Sequence, residues 1–255
     1  MKKTITDINM HVIPFMDRVE TDYFMALDML QVAYDNGVRD VFCPFHSTFV
    51  IDYVGETYRD EFLRFINFLS ERHPDRFPGL TLYPCCEVHC NLSFLDRIIK
   101  KIQTDSFPTM GFTRYVLIAL RPDTTPETAL EIINKLIDNN FIPIIAHIEF
   151  YPLLCNDSFI NKVISLGVKI QVNLFSLEEE TRTEIKDCAR SLVNNKYAHF
   201  IGSYTHSFEC KPPCYEKGLK YLSENCDEKY FDEICYLNAK SIIEESKRIF
   251  AENHS

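Results

Sequence analysis

The chain has 255 residues, 46% of them hydrophobic and 25% charged, so it is long and apolar enough to fold around a substantial core. Its 37 acidic and 27 basic residues give a formal net charge of −10, which argues against generic nucleic-acid binding because a phosphate backbone would be repelled. No apolar run approaches the roughly 18–20 residues of a membrane-spanning helix, so membrane insertion is not expected. Asp7 and Asn9 interrupt the N-terminal segment as a signal-peptide core, and we expect a cytoplasmic protein.

The chain contains ten cysteines, a number that suggests a disulfide framework or a zinc site. Without an export signal we expect them to stay reduced, as buried small hydrophobes or exposed thiols. Cys85, Cys86 and Cys90 lie close together in sequence, as do Cys210 and Cys214, but neither group contains a CxxC pair. A structural zinc ribbon is therefore not expected.

Strand-like apolar runs alternate with segments of helical periodicity along the whole chain. Thr21 is suited to cap the first helix and Gly37 to end it, and Thr125 with Pro126 opens a later one. The other predicted helices cover about residues 58–72, 92–103, 157–166, 178–194, 215–225 and 238–250. The predicted strands cover residues 5–8, 40–43, 80–86, 115–120, 142–146, 168–172 and 200–203.

This alternation determines the expected fold, because strands that alternate with helices form a parallel sheet. Seven such units, with no Gly-, Ser- or Pro-rich linker between them, favour one α/β domain over residues 1–255. Within it we expect a (β/α)7 barrel of the TIM type. A doubly wound open sheet is the alternative.

Polar side chains follow most of the predicted strands, at the ends that meet in one mouth of a parallel barrel. For any single histidine, a lone polar residue on a loop is the simpler interpretation. Histidines at several separate strand ends, together with a carboxylate, instead indicate metal or phosphate chemistry at that mouth. His89 is the weakest member, because its side chain could face solvent. The residues are Asn9, His11, His46, Glu87, His89, His147, Glu149 and His206.

Several short motifs carry a resemblance to a known family. The run DINMHVIP at residues 7–14 resembles the D-I-H-x-H-x-x-P opening of the PHP (polymerase and histidinol phosphatase) superfamily. The sequence is most similar to the bacterial capsule-type manganese-dependent protein-tyrosine phosphatases. Further matches follow in order over nearly the whole chain: CPFH at 43–46, CEV at 86–88, YVLI at 115–118, IAHIE at 145–149, QVN at 171–173, SYTH at 203–206 and NAKSI at 238–242.

The resemblance implies a distorted (β/α)7 barrel with up to three metal ions in its mouth. Manganese is the expected metal, with zinc or iron as alternatives. No residue is assigned as a catalytic acid or base. The positions that keep the family's metal-ligand type are His11, His46, Glu87, His147 and His206.

Five positions depart from the family pattern. Asn9 stands where the first histidine is expected, and Arg18 stands where the family has an aspartate. Ala119 replaces a glutamate, Tyr204 replaces an aspartate, and Phe150 replaces an arginine that holds phosphate. Lost carboxylates no longer offset the repulsion among dications, and Arg18 adds positive charge. We therefore expect fewer than three metal ions, with one or none the alternatives.

The implied function is a metal-dependent tyrosine phosphatase linked to capsule or exopolysaccharide regulation. Its substrate would be a phosphotyrosine protein, such as a capsule-regulating tyrosine kinase. Arg18 and Lys211 are the candidate phosphate-binding residues, although Lys211 could equally be a solvated loop lysine. Two alternatives stay open: an impaired relative that binds phosphate or a partner without turnover, and a single-metal hydrolase with another substrate.

Overall fold

A computed structural model describes residues 4–16, 21–47 and 54–252, along which eight parallel strand segments alternate with helices. The strands are β1 (Ile5–Asp7), β2 (Val38–Cys43), β3 (Thr81–Pro84), β4 (Glu87–His89), β5 (Tyr115–Ala119), β6 (Ile142–Ile145), β7 (Lys169–Asn173) and β8 (Phe200–Gly202). The helices are α1 (Tyr23–Asp35), α2 (Val54–Arg72), α3 (Leu95–Gln103), α4 (Pro126–Asp138), α5 (Asp157–Ser165), α6 (Thr183–Asn194), α7 (Glu216–Asn225), α8 (Glu228–Asp232) and α9 (Asn238–Glu252).

The strands form two parallel sheets, one of β1, β2 and β3 and one of β4 to β8 in chain order. Parallel backbone bridges join the sheets at both junctions. At one, His46 beyond β2 pairs with Glu87 of β4, and at the other Met10 beyond β1 pairs with Thr205 beyond β8. The ring of strands is thereby closed, and the predicted (β/α)7 barrel is confirmed.

The third predicted strand, residues 80–86, is broken in the structure. The backbone N–H of Cys85 donates to the Tyr58 hydroxyl at 3.2 Å, and that of Cys86 donates to the Pro108 carbonyl at 2.8 Å. These bonds take both residues out of the ladder, so β3 pairs with β2 while β4 pairs with β5. Glu87 and His89, predicted to follow a strand, therefore lie within one.

The lower part of the barrel interior is filled by apolar side chains. Large side chains from the strands pack there with residues of α9, which covers the end of the barrel opposite the mouth. A polar layer lies above this cluster, toward the mouth. The interior cluster includes Ile8, Phe42, Leu117, Ile144, Phe200, Ala239, Ile242 and Ile243.

Several helix boundaries differ from expectation; α2, for example, begins at Val54 where residue 58 was predicted. Asp22 rather than Thr21 caps α1, since its carboxylate accepts the Met25 N–H at 2.8 Å. Helix α6 begins at residue 183 instead of 178, after a short 3-10 turn. The short helix α8 was not predicted from the sequence. The cap of α4 at Thr125 is confirmed. Among the described residues, no helix combines the length and apolarity needed to cross a membrane.

Two of the ten cysteines are paired, contrary to the expectation that all stay reduced. A disulfide joins Cys155, before α5, to Cys188 in α6, with their Cα atoms 6.1 Å apart. That separation is ordinary for a disulfide. Sequence spacing could not reveal the pair, because the two residues are brought together by the packing of α6 against the segment that follows β6.

His199, just before β8, makes stability depend on pH. Its Nδ1 accepts the Ile170 N–H, and burial, reinforced by the charge of Lys169, lowers the pKa of His199 from 6.5 to about 4. Between these values the unfolded chain binds a proton that the folded chain excludes, so stability present above pH 6.5 is lost as the pH falls to 4. The loss is of order 3 kcal/mol.

His199→Asn keeps an acceptor and removes the titration, so we expect its urea-unfolding free energy to decline less than that of the parent between pH 7 and 4. His73→Asn, at the end of α2, is the matched control, and both are measured with EDTA present. Equal declines in the parent and His199→Asn would contradict the assignment.

Candidate metal centre

The carboxylate of Glu87 lies at the centre of the polar layer and is completely buried. Three imidazole Nε2 atoms surround its Oε1: those of His46 at 3.6 Å, His89 at 3.4 Å and His147 at 3.4 Å. These separations are long for hydrogen bonds, which usually measure about 2.7–3.2 Å. They match the roughly 3.4 Å between two ligands of a tetrahedral ion with bonds of about 2.1 Å.

The second oxygen of Glu87 faces the N-terminal strand. Asn9 Nδ2 donates to Oε2 at 3.1 Å, and His11 Nε2 lies 3.6 Å from the same atom. Burial alone would raise the pKa of Glu87. The charge of His147 and the long hydrogen bonds of the surrounding imidazoles outweigh burial and hold that pKa well below its ordinary value.

Three histidine rings stack on one another across the mouth. The ring centroid of His11 is 4.3 Å from that of His46 and 4.0 Å from that of His206. The ligand nitrogens of these three residues lie within 4.8 Å of one another. His206 Nδ1 is 3.0 Å from the Tyr204 carbonyl oxygen, which can only accept, so Nε2 presents a lone pair suited to a metal.

His147 is held in place by its neighbours. Its backbone adopts a left-handed conformation, with φ of 36°, which is uncommon for a residue other than glycine. Gln171 Oε1 accepts its N–H at 2.8 Å, and the Tyr151 hydroxyl lies 3.0 Å from its Nδ1. If Nε2 were to hold a metal, Nδ1 would carry the ring proton and donate it to the Tyr151 hydroxyl, a contact that would fix the ring orientation.

Three of the replaced family positions, Asn9, Ala119 and Tyr204, line the same mouth. Asn9 Oδ1 is buried and has no hydrogen-bond partner among the described residues. Ala119 is buried and contributes only a methyl group. The Tyr204 ring packs against His147 and His206, with 4.8 Å between centroids in each case.

An aromatic wall, formed by Phe150, Tyr204 and Phe175, lies beside His147. The Phe150 ring centroid is 5.3 Å from that of His147 and 6.1 Å from those of Tyr204 and Phe175. The Lys211 ammonium lies 3.5 Å from the Tyr204 ring centroid and so brings positive charge to the wall. Arg18, the other predicted phosphate-binding residue, lies outside the described residues.

Glu149 serves a different purpose from the other strand-end residues. Its Oε1 accepts the Asn173 N–H at 3.0 Å and the Ser176 hydroxyl at 2.7 Å. Burial raises the pKa of Glu149.

Sequence reasoning missed Tyr151, although its position four residues after His147 is a usable signal. It placed Glu87 and His89 after a strand, because the break in the third predicted strand was not anticipated.

Comparison with known proteins assigns the family. The sequence model of the family "Capsular polysaccharide synthesis, CpsB/CapC" matches residues 5–244. The chain belongs to the CpsB/CapC family. This confirms the predicted membership, since CpsB/CapC proteins are capsule-type members of the PHP superfamily.

Curated relatives share modest identity over most of the chain. The tyrosine-protein phosphatase CpsB of Streptococcus agalactiae is 21% identical, covering 93% of this chain and 97% of the relative. The putative tyrosine-protein phosphatase CapC of Staphylococcus aureus is 24% identical, covering 82% of this chain and 79% of the relative.

Solved structures share the fold. A structure from work on Bacillus subtilis YwqE and Streptococcus pneumoniae CpsB, described as unique metal-dependent tyrosine phosphatases, superposes with a TM-score of 0.78 at 20% identity, covering 95% of this chain and 94% of that one. A phosphotriesterase homology protein of Escherichia coli superposes with a TM-score of 0.59 at 9% identity, covering 94% and 99%.

The contact between Tyr151 and His147 can be tested by Tyr151→Phe. The Tyr151 hydroxyl also accepts the Leu120 N–H at 3.0 Å, so its removal leaves two buried polar groups without that partner. We expect a loss of about 1–3 kcal/mol in the free energy of unfolding. Tyr197→Phe, which removes an exposed hydroxyl bonded to Asn161, should change stability much less. Equal, small losses in urea titrations with EDTA would refute the prediction.

Proposed function

We propose that this chain is a metal-dependent phosphatase that hydrolyses phosphotyrosine in protein substrates. The observation that carries the proposal is the buried Glu87 carboxylate, which faces several imidazole nitrogens at one barrel mouth. Such a mixed His and carboxylate set suits divalent metals. The names of the CpsB and CapC relatives support the phosphotyrosine substrate.

The proposed metal ligands are the five residues that keep the metal-ligand type found at the corresponding positions of the family. Their single carboxylate limits how much positive charge the site can neutralise, so fewer than three ions are proposed. Manganese is the proposed metal, with zinc or iron as alternatives. A bound divalent ion supplies Lewis acidity toward phosphoryl oxygens and lowers the pKa of water. The ligands are His11, His46, Glu87, His147 and His206.

The chain's own groups would bind the rest of the substrate. The aromatic wall offers ring faces against which a tyrosyl ring can pack. Lys211, held over the Tyr204 ring, would pair with the phosphoryl oxygens, and Arg18 is proposed for the same role. Phe150 keeps this part of the mouth apolar and brings no positive charge to phosphate.

The proposed protein substrate is a tyrosine kinase that regulates capsule synthesis, because the family is described by capsular polysaccharide synthesis. A second function, phosphate or partner binding without turnover, is favoured by one specific feature. Ala119 leaves the mouth without a second carboxylate at that strand end, which weakens any metal cluster. We therefore propose slow turnover compared with a relative that carries every ligand.

Activity and its metal dependence can be measured together. After loading with Mn²⁺ or Zn²⁺, the protein should hydrolyse p-nitrophenyl phosphate and a phosphotyrosine peptide with kcat below about 1 s⁻¹, slower than ordinary enzymes. EDTA should abolish turnover. Glu87→Gln should also abolish turnover and should lower metal affinity by more than about tenfold. Loss of a residue that only contacts a metal ligand already lowers affinity about tenfold, and Glu87 is proposed as a direct ligand.

Glu149→Gln is the matched control, a buried carboxylate bonded to Asn173 and Ser176, and it should keep its bound metal. Turnover that survives EDTA would refute metal dependence. A metal-loaded parent with no turnover but measurable phosphate binding would favour the binding function. A parental kcat of about 1 s⁻¹ or more would refute the expected impairment.

Restoring the family pattern tests why turnover is slow. Asn9→His, Arg18→Asp, Ala119→Glu and Tyr204→Asp made together return three carboxylates to the site. We expect more bound metal per chain, by elemental analysis, and kcat raised at least about tenfold, equivalent to about 1.4 kcal/mol of transition-state stabilisation. The same variant with Ala119→Gln in place of Ala119→Glu is the charge control. No gain in either quantity would refute the explanation.

A further inference from the structure

Two sets of ligand atoms overlap in the mouth, and they share His46. The inner set comprises His11, His46 and His206, and the rim set comprises His46, Glu87 and His89. In each set the ligand atoms lie within 4.8 Å of one another. We propose that the rim set binds a divalent cation, with His89 as one of its ligands.

Backbone pairing fixes the three side chains of the rim set relative to one another. His46 bridges to Glu87, whose N–H donates to the Phe45 carbonyl at 3.0 Å. The Ser47 hydroxyl accepts the His89 N–H at 2.8 Å, which fastens β4 to the end of β2. Because side chains alternate along a strand, Glu87 and His89 share the face of β4 opposite the buried Val88.

The neighbouring strand leaves room for the His89 ring. In the parallel register of β4 and β5, His89 pairs with Ala119. A methyl group there neither fills the space above the strand end nor brings a competing charge. The His89 ring lies 5.3 Å from the His46 ring, and its Nε2 is 3.4 Å from Glu87 Oε1.

Charge and accessibility favour the rim set over the inner one. The rim set contains the carboxylate of Glu87, whereas the inner set consists of imidazoles alone. Two histidines and a glutamate form one of the ligand sets of catalytic zinc sites, which keep a further position open for water or substrate. The side chains of His46 and His89 are 29% and 43% exposed, so the rim set lies at the edge of the mouth, next to solvent.

This inference deepens the proposed metal centre and rests on it for His46 and Glu87. It adds one ligand, His89, that the family pattern does not include. Its test therefore reads metal binding rather than hydrolysis. Apoprotein is titrated with Co²⁺ and Zn²⁺ by calorimetry, and the Co²⁺ complex is followed by visible absorption. The variants are His89→Ala and the control His73→Ala, both compared with the parent.

We expect His89→Ala to bind Co²⁺ at least about tenfold more weakly or to lose one ion per chain, with an altered visible spectrum, because a lost direct ligand should cost no less than a lost outer contact. His73→Ala should match the parent. Unchanged affinity, stoichiometry and spectrum in His89→Ala would overturn the proposal.

A second measurement avoids any folding defect of the variant. In the parent, Zn²⁺ should shift the ring ¹⁵N resonances of His89 as it does those of His46, and an unshifted His89 at full occupancy would overturn the proposal. The outcome is separable from the proposed function. Metal binding through His89 without phosphotyrosine hydrolysis would refute only the function, and hydrolysis with metal binding independent of His89 would refute only this inference.

Discussion

The structure depends on one buried negative charge. The Glu87 carboxylate is withdrawn completely from water, which is unfavourable unless the charge is compensated. Its compensation comes from imidazoles carried by different strand ends, and its own backbone joins the two sheets through Phe45 and Ser47. The backbone of Glu87 therefore helps to close the barrel at one junction, while its side chain organises the candidate metal centre.

Three of the residues that replace family residues in the mouth are held by contacts with Glu87 and His147. Asn9 turns its amide N–H toward Glu87 and so replaces a ligand by a hydrogen-bond donor. Tyr204 and Phe150 fill their positions with rings that pack against His147. The substitutions exchange charge for packing, which preserves the shape of the mouth while it leaves fewer carboxylates to offset repulsion among cations.

Hydrophobic alternation along the chain predicted the barrel and most of its elements, because burial of apolar strands dominates the pattern. It also predicted which histidines share the mouth, since carboxyl ends of parallel strands meet at one edge. It could not predict the break at Cys85 and Cys86, which depends on acceptors supplied by Tyr58 and Pro108 far away in sequence. The pairing of Cys155 with Cys188 could not be predicted either, because tertiary packing brings together two residues that are distant in sequence.

The packing of α9 into the base of the barrel has a consequence for synthesis. Ile242 and Ile243 share an apolar cluster with Ile8 and Phe42, so the first strands meet their final partners only after most of the chain has been made. Contacts of such long sequence separation slow folding and leave apolar surface exposed in the meantime. The nascent barrel is therefore open at its base until α9 emerges from the ribosome, and that interval is when chaperones would be most needed.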